Sequence, residues 1–186
     1  MQKLNLGCGQ NKLAGYVNVD KYDAFQPDVV WDLEVFPWPF ENGSAEDVVM
    51  HHSLEHMGAS TECFLSIMKE LYRVCAPGAQ IHIDVPHPRS DSFAGDPTHV
   101  RPINSAVLSL FSKKKNAEAK ALGWANTPLG VYLDVDFDLG DVIYHLTPHW
   151  AKSAQSGQLS REELDFAIST YFNVVDGMTI TLTAVK

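Results

Sequence analysis

The stretch Leu4-Asn5-Leu6-Gly7-Cys8-Gly9 decides the fold of this chain. A short apolar run of this kind predicts a buried strand, and Gly7 and Gly9 let the backbone turn sharply and approach a ligand closely. Two later apolar runs end in acids, Asp20 and Asp32. An acid that closes the next strand is placed to accept hydrogen bonds from a ribose diol, and the following one to face an adenine. The pattern indicates a nucleoside cofactor.

The composition limits the class of protein. A length of 186 residues favours one domain over residues 1–186, and a net charge of -9 argues against a nucleic-acid partner. Three scattered cysteines (Cys8, Cys63 and Cys75) form no disulfide framework, which fits a reducing cytoplasm. No apolar stretch has the length of a membrane span, and the residues after Gly7 interrupt any signal-peptide pattern. We expect a soluble cytoplasmic protein with no membrane partner.

The first half alternates strand-like runs with one clear helix. Residues 60–75 predict that helix, with Ser60 as its N-cap and Pro77-Gly78 beyond its end. Strand, turn, helix and strand in this order predict a parallel sheet with right-handed crossovers. The predicted strands cover residues 4–6, 16–19, 29–32, 47–50 and 79–85.

The second half is less regular. Residues 104–111 predict a short helix, and residues 131–137 alternate like a half-buried strand. Ser160 to Glu163 matches a capping box at the start of another helix. Residues 178–185 alternate threonines with apolar side chains, which is typical of an antiparallel strand.

The order of these motifs resembles that of small class I methyltransferases that use S-adenosylmethionine. The resemblance rests on LNLGCG, VNVD, WDLE with PWPF, HHSLEH and ELYRVCAPGAQIHIDVP, and it spans residues 4–86. It implies an α/β fold: a Rossmann-like, doubly wound, mostly parallel sheet with an antiparallel C-terminal strand. It also implies an enzyme that transfers a methyl group from S-adenosylmethionine to a small-molecule or sugar-like acceptor.

The resemblance also assigns cofactor-binding residues. The glycine loop would line the amino-acid and ribose parts of the cofactor, the acid of the second strand would hold the ribose, and the next acid would face the adenine. Residues just past the fourth strand would lie beside the sulfonium, whereas Glu55-His56 would support the following helix. The cofactor set is Leu6, Gly7, Cys8, Gly9, Asp20, Asp32, Leu33, His51, His52 and Leu54.

The sequence departs from that family pattern in its first loop. Asn11 stands where a third glycine is usual, and only ten residues separate Gly9 from Asp20. A parallel crossover that contains a full helix needs about a dozen residues or more. We therefore predict that the first crossover helix is short or missing and that one face of the sheet is thinly covered. The same shortfall argues against a nicotinamide dehydrogenase, which needs that helix to bind a pyrophosphate.

The segment 87–101 carries the candidate chemistry, because it follows the fifth strand at the expected rim of the site. His99 is the candidate general base and Asp96 its orienting partner. The candidate substrate-binding residues are His87, Arg89, Asp91 and Arg101. The alternative interpretation is a turn in which these side chains brace the loop.

Two alternative functions remain open at this stage. The missing helix and glycine suit a non-catalytic module that binds S-adenosylmethionine or a related nucleoside. Histidines and aspartates in segment 87–101 suit, more weakly, a metal-dependent hydrolase, with His145 and His149 as distant donors. Pro148 opposes a helical His-x-x-x-His site there, so the sequence assigns no metal ligands.

Overall fold

The computed structural model describes residues 1–186 as a seven-stranded sheet with helices. The strand order is β3-β2-β1-β4-β5-β7-β6, in which β1 to β5 pair in parallel and β7 is antiparallel to both of its neighbours. The strands are β1 (Gln2–Leu6), β2 (Val17–Asp20), β3 (Val29–Val30), β4 (Ala45–His51), β5 (Cys75–Pro86), β6 (Phe137–Leu146) and β7 (Val175–Ala184). This sheet confirms the predicted Rossmann-like class and its antiparallel C-terminal strand.

The helices follow the fourth and later strands. They are α1 (Thr61–Val74), α2 (Asp91–Ala94), α3 (Ser105–Ser109), α4 (Lys113–Ala121), α5 (Leu129–Tyr132), α6 (Pro148–Gln155) and α7 (Arg161–Thr170). None of them has the length and hydrophobicity needed to cross a membrane. The prediction of helix 60–75 is confirmed: Ser60 caps α1 by accepting a hydrogen bond from the backbone N–H of Cys63 at 3.1 Å. The capping box of α7 is confirmed as well.

One face of the sheet carries the core. Helix α1 places Phe64, Ile67, Met68, Leu71 and Val74 in a single cluster of 30 buried residues, together with alternate side chains of β1, β4, β5 and β7. The aromatic-proline segment closes the same cluster, because Trp38 and Phe40 are buried in it. The Arg73–Glu70 pair fixes this segment: the Trp38 N–H donates to Glu70 Oε2 at 2.7 Å, and Arg73 donates to the Phe40 carbonyl at 2.8 Å.

The opposite face lacks a helix in the first crossover, as predicted. Residues 7–16 form turns instead, and a network of asparagine side chains attaches them to the sheet. Asn5 Nδ2 donates to the Asn11 carbonyl at 2.8 Å and to Asn18 Oδ1 at 2.9 Å, and the Leu13 N–H donates to Asn18 Oδ1 at 2.8 Å. Polar contacts therefore replace the apolar packing that a crossover helix would provide.

The prediction of a strand at residues 131–137 is wrong. The backbone forms the short helix α5 and a turn, and β6 begins only at Phe137. The alternating apolar residues have another cause: Val135 and Phe137 enter the core, whereas Val131 is 58% exposed. The predicted third strand, residues 29–32, is also shorter than expected and ends at Val30.

Candidate active site

A cleft of about 490 Å³ lies at the carboxyl ends of β1, β2 and β4. Its volume falls within the roughly 300–1,000 Å³ range of small-molecule sites. The predicted cofactor residues that line it are Gly7, Gly9, Asp20, Asp32, Leu33 and His52. Leu6, Cys8 and Leu54 lie behind it in the buried interior, and His51 lines a neighbouring cleft. The position matches the rule that open α/β sheets bind ligands beyond the carboxyl ends of their strands.

The glycine loop needs its glycines for two different reasons. Gly7 has a φ of 72°, and a Cβ atom there would lie 2.5 Å from the Ser53 Cβ, so the position excludes larger residues. Gly9 has a φ of 48° and nothing within 4 Å of the position of a Cβ. The backbone at Gly9 is therefore open to a ligand.

The Asp20 carboxylate is buried and fixed by the backbone. Asp20 Oδ2 accepts the Gly9 N–H at 2.8 Å, and Oδ1 accepts the Tyr22 N–H at 2.9 Å. A carboxylate has about four lone-pair positions, so two remain for a ligand's hydroxyl groups. Burial raises the pKa of the neighbouring Cys8 thiol, and Asp20 raises it further, which disfavours the reactive thiolate form.

A second cleft of about 430 Å³ adjoins the first. It lies where β4, β5 and β7 meet, and His52 lines both clefts. His52 has a positive φ of 48°, and its Nδ1 lies 3.3 Å from Glu55 Oε1. The hydrogen bond to Glu55 raises the pKa of His52 above its ordinary value. The two clefts thus share one wall, which a polar side chain forms.

A chain of hydrogen bonds crosses the second cleft along neighbouring strands. His51 Nδ1 lies 3.1 Å from Asp84 Oδ2, Thr179 donates its hydroxyl to Asp84, and His145 Nε2 lies 2.8 Å from Thr179 Oγ1. Burial raises the pKa of the Asp84 carboxyl, but the hydrogen bonds from Thr179 and His51 outweigh it and hold the pKa below its ordinary value. Asp84 stays ionised and directs the His51 ring, whose Nε2 remains available.

The predicted substrate-binding residues have partners within the protein and line neither cleft. Arg89 donates to the carbonyls of Ser169 and Ile168 at the end of α7. Arg101 donates to the Gly58 carbonyl at 2.9 Å and lies over the Phe64 ring. The Asp91 carboxylate accepts the side-chain amide of Asn173 at 2.7 Å.

His87 lies beside this loop and is half-buried. Its Nδ1 accepts the Arg89 N–H at 3.2 Å. Burial lowers the pKa of His87, and the charge of Arg89 lowers it further, so the ring is neutral at neutral pH. These contacts agree with the alternative in which the polar residues of segment 87–101 brace the loop.

The predicted pair His99 and Asp96 lies together, with Nε2 and Oδ2 3.8 Å apart. The His99 side chain is only 9% exposed, and its Nδ1 lies 2.9 Å from the Phe93 carbonyl. Asp96 Oδ1 instead accepts two short hydrogen bonds from Thr98, one from its backbone N–H at 2.8 Å and one from its hydroxyl group at 2.6 Å. The base role of His99 stays a prediction.

Sequence reasoning missed part of both clefts. The residues that it missed are Lys21, Tyr22, Phe25, Trp31, Glu34, Ser53, His56, Met57 and Thr98 in the first cleft, and Asp84, Val85, Pro86, Ser92, Asp176, Gly177, Met178 and Thr179 in the second. His145, which the sequence suggests only as a distant metal donor, also lines the second cleft. One signal was available: the polar residues of IHIDVP and MTITLTA fall on alternate positions of adjacent strands, hence on one face of the sheet.

No family model and no curated protein matches this sequence. Solved structures do match its fold. An S-adenosylmethionine-dependent methyltransferase from Archaeoglobus fulgidus matches with a TM-score of 0.65 at 16% identity, over 98% of this chain and 85% of that one.

Two further structures show the same likeness. A methyltransferase of this kind from Mesorhizobium loti gives a TM-score of 0.51 at 15% identity, over 98% of this chain and 90% of that one. The third structure is the geranyl diphosphate C-methyltransferase of Streptomyces coelicolor, solved with Mg²⁺, geranyl diphosphate and S-adenosylhomocysteine. It gives a TM-score of 0.52 at 14% identity, over 99% of this chain and 72% of that one. The chain therefore has the fold of the class I S-adenosylmethionine-dependent methyltransferases, as its motif order predicts.

Proposed function

We propose that this protein transfers a methyl group from S-adenosylmethionine to a hydroxyl group of a neutral, sugar-like small molecule. The observation that carries the proposal is the pair of clefts that meet at His52. Methyl transfer requires two reactants held in line and in contact. Two adjoining clefts of about 490 and 430 Å³ provide one compartment for each reactant.

The first cleft suits the cofactor. Asp20 has lone pairs left for the ribose hydroxyls, and Asp32 and Leu33 line the same cleft, where they would contact an adenine. The open backbone at Gly9 admits the amino-acid part. S-adenosylmethionine carries no phosphate, so the fold binds it without the helix that is missing from the first crossover.

The second cleft suits an uncharged polyhydroxyl acceptor. Its polar lining consists of carboxylates, hydroxyls and imidazoles, including Asp84, Asp176 and Thr179, and contains no lysine or arginine. Carboxylates accept hydrogen bonds from hydroxyl groups and repel anions. Since Arg89 and Arg101 also donate elsewhere, a phosphate or carboxylate on the acceptor has no counter-ion here.

The reaction that follows is a single displacement. The acceptor oxygen forms a bond to the methyl carbon as the carbon–sulfur bond breaks. The electron pair of the broken bond stays on sulfur, which gives S-adenosylhomocysteine. The hydroxyl proton goes to His51 Nε2, because Asp84 holds the other ring nitrogen at 3.1 Å. Asp84 is the positioning residue of this pair.

A turnover assay tests the proposal. S-adenosylhomocysteine formation is measured with the purified protein, S-adenosylmethionine and a panel of monosaccharides and polyols. Asp84→Asn is expected to lower turnover by roughly 10²–10⁴-fold at unchanged cofactor affinity. Asp141→Asn, at an exposed position of β6, is the matched control with wild-type turnover. Cofactor binding without turnover on any acceptor would favour the non-catalytic binding module instead.

A further inference from the structure

A cluster of metal-ligating side chains that the proposed reaction does not use lies beside the first cleft, and one of its members, His56, lines that cleft. Glu55, His56 and His99 each bring one potential ligand atom within 4.8 Å of the other two. Glu55 and His56 lie in the turn after β4, and His99 approaches from the loop after β5. The two histidines also stack edge to face, with ring centroids 4.6 Å apart.

One oxygen of the buried Glu55 carboxylate has no hydrogen-bond donor. The Glu55 side chain is 1% exposed, and Oε1 lies 3.3 Å from His52 Nδ1. Oε2 is buried without any hydrogen-bond partner. A buried carboxylate oxygen with no donor is costly, so such groups are paired or coordinate metals. Oε2 therefore has lone pairs that a cation at this position would satisfy.

Hydrogen bonds fix which nitrogen of each imidazole can bind a metal. His99 Nδ1 lies 2.9 Å from the Phe93 carbonyl, which has no proton to give, so Nδ1 carries the proton. His56 Nδ1 lies 2.9 Å from Thr98 Oγ1, whose own proton goes to Asp96. His56 Nδ1 therefore donates as well. Both rings keep an Nε2 lone pair, and the Nδ1–H bonds to backbone or hydroxyl oxygens are the support that metal-binding histidines use.

We propose that Glu55, His56 and His99 bind a divalent transition-metal cation such as Zn²⁺ or Mn²⁺. Two imidazoles with one carboxylate favour these ions over Mg²⁺ and Ca²⁺, which prefer oxygen ligands alone. Three protein ligands leave coordination positions open, as in catalytic metal sites. His56 lines the first cleft, so a cation held by these three side chains would lie beside the ligand bound there.

The cation has a role if the proposed function holds. An oxygen or nitrogen atom of the bound cofactor would occupy an open position, and coordination would hold the cofactor in a fixed orientation. That role rests on the proposed methyl transfer, whereas the metal site itself does not. The assignment also gives His99 a different task from the proton acceptor that the sequence predicts.

The test is metal binding by the full chain after removal of bound metal with a chelator. Calorimetry with Zn²⁺ and Mn²⁺ is expected to show one site, and Co²⁺ substitution is expected to give visible absorption bands of a nitrogen-ligated site. Glu55→Gln keeps the shape of the side chain and His99→Ala removes a ligand. Each is expected to weaken binding more than about 100-fold, since loss of a supporting residue alone costs about 10–100-fold.

His82→Ala is the matched control, because His82 lies on the open sheet face outside the cluster. Circular dichroism checks that each variant is folded. If His99→Ala does not fold, the metal affinity of Glu55→Gln alone tests the site. Absence of one-to-one binding, or wild-type affinity in folded Glu55→Gln, would overturn the site. A parallel titration with S-adenosylmethionine separates the two proposals: cofactor binding without metal binding refutes only the metal site, and the reverse result refutes only the proposed function.

Discussion

The two faces of the sheet differ in what they contribute. Along β5, Ile81 and Ile83 enter the core beneath α1. The alternate residues His82 and Asp84 point to the opposite face of the sheet, which has no crossover helix. The covered face provides most of the buried apolar area. The open face carries the hydrogen-bonded chain of the second cleft. Neighbouring residues of one strand thus serve stability and chemistry separately.

This difference has a cause in the sequence. Parallel strands that are covered on both faces are usually apolar throughout. Strands β4 and β5 alternate between apolar and polar residues instead, as strands with one covered face do. The polar positions of β5 on the other face, such as Asp84, are therefore available to form a site.

Ile83→Ala and His82→Ala compare adjacent positions on opposite faces. Ile83 is fully buried, so its truncation is expected to lower the free energy of unfolding by about 2–5 kcal/mol. His82→Ala is expected to change it by less than about 0.5 kcal/mol, as at other surface positions. Urea denaturation measures both. A similar loss of unfolding free energy at the two positions would contradict the proposed difference between the two faces.

Asn18→Ala tests whether polar contacts hold the loop that replaces the crossover helix. Its side chain is buried and bonds to Asn5, Leu13 and Asp28. Truncation leaves buried donors without partners and is expected to cost about 1–3 kcal/mol. Because the loop carries Gly9, cofactor affinity is expected to fall as well. Wild-type stability in urea would show that the network is dispensable.

Glu70→Gln tests the ion pair between Glu70 and Arg73 on the covered face. Burial raises the pKa of the Glu70 carboxyl, but Arg73 and the Trp38 N–H outweigh it and hold the pKa below the ordinary 4.5. The substitution is expected to cost about 1–2 kcal/mol at neutral pH. A lowered folded-state pKa stabilises the protein above the unfolded-state value, and this stability is lost as the pH falls through the folded-state pKa.

Urea denaturation at several pH values checks this prediction. The difference between the wild type and Glu70→Gln should be constant above pH 4.5 and should shrink below it. A difference that grows towards acid would contradict the assigned cause of the shift.

Asp84→Asn is expected to have a small effect on stability. The His51–Asp84 pair has side chains that are 44% and 29% exposed, and such pairs contribute about 0–1 kcal/mol. Its large effect is expected on turnover alone. Thermal unfolding beside the turnover assay separates the two, and a melting temperature that falls as far as for Ile83→Ala would assign Asp84 to the scaffold.

The sequence predicts the covered face better than the open one. Helix α1, its cap and the apolar periodicity of β5 follow from local patterns. The missing helix follows from the spacing of Gly9 and Asp20, and six predicted cofactor residues line the first cleft. These signals are local along the chain, so a single sequence contains them.

The second cleft could not be predicted in the same way. His145 and Thr179 lie 34 positions apart and meet only because β6 pairs with β7. Arg89 and Arg101 look like substrate ligands in sequence, but their partners are backbone carbonyls that only the folded chain brings near. Contacts of this kind depend on the register of strand pairing and on the paths of the loops. A local sequence pattern does not determine either of them.

Calorimetric titration with S-adenosylmethionine and S-adenosylhomocysteine tests the central claim most directly. The wild type is expected to bind both with micromolar affinity, about -8 kcal/mol. Asp20→Asn is expected to lose this binding, whereas Asp23→Asn, in the adjoining turn outside the cleft, is expected to keep it. No heat of binding with either compound, or equal affinity in wild type and Asp20→Asn, would contradict the assignment of the cleft to this cofactor.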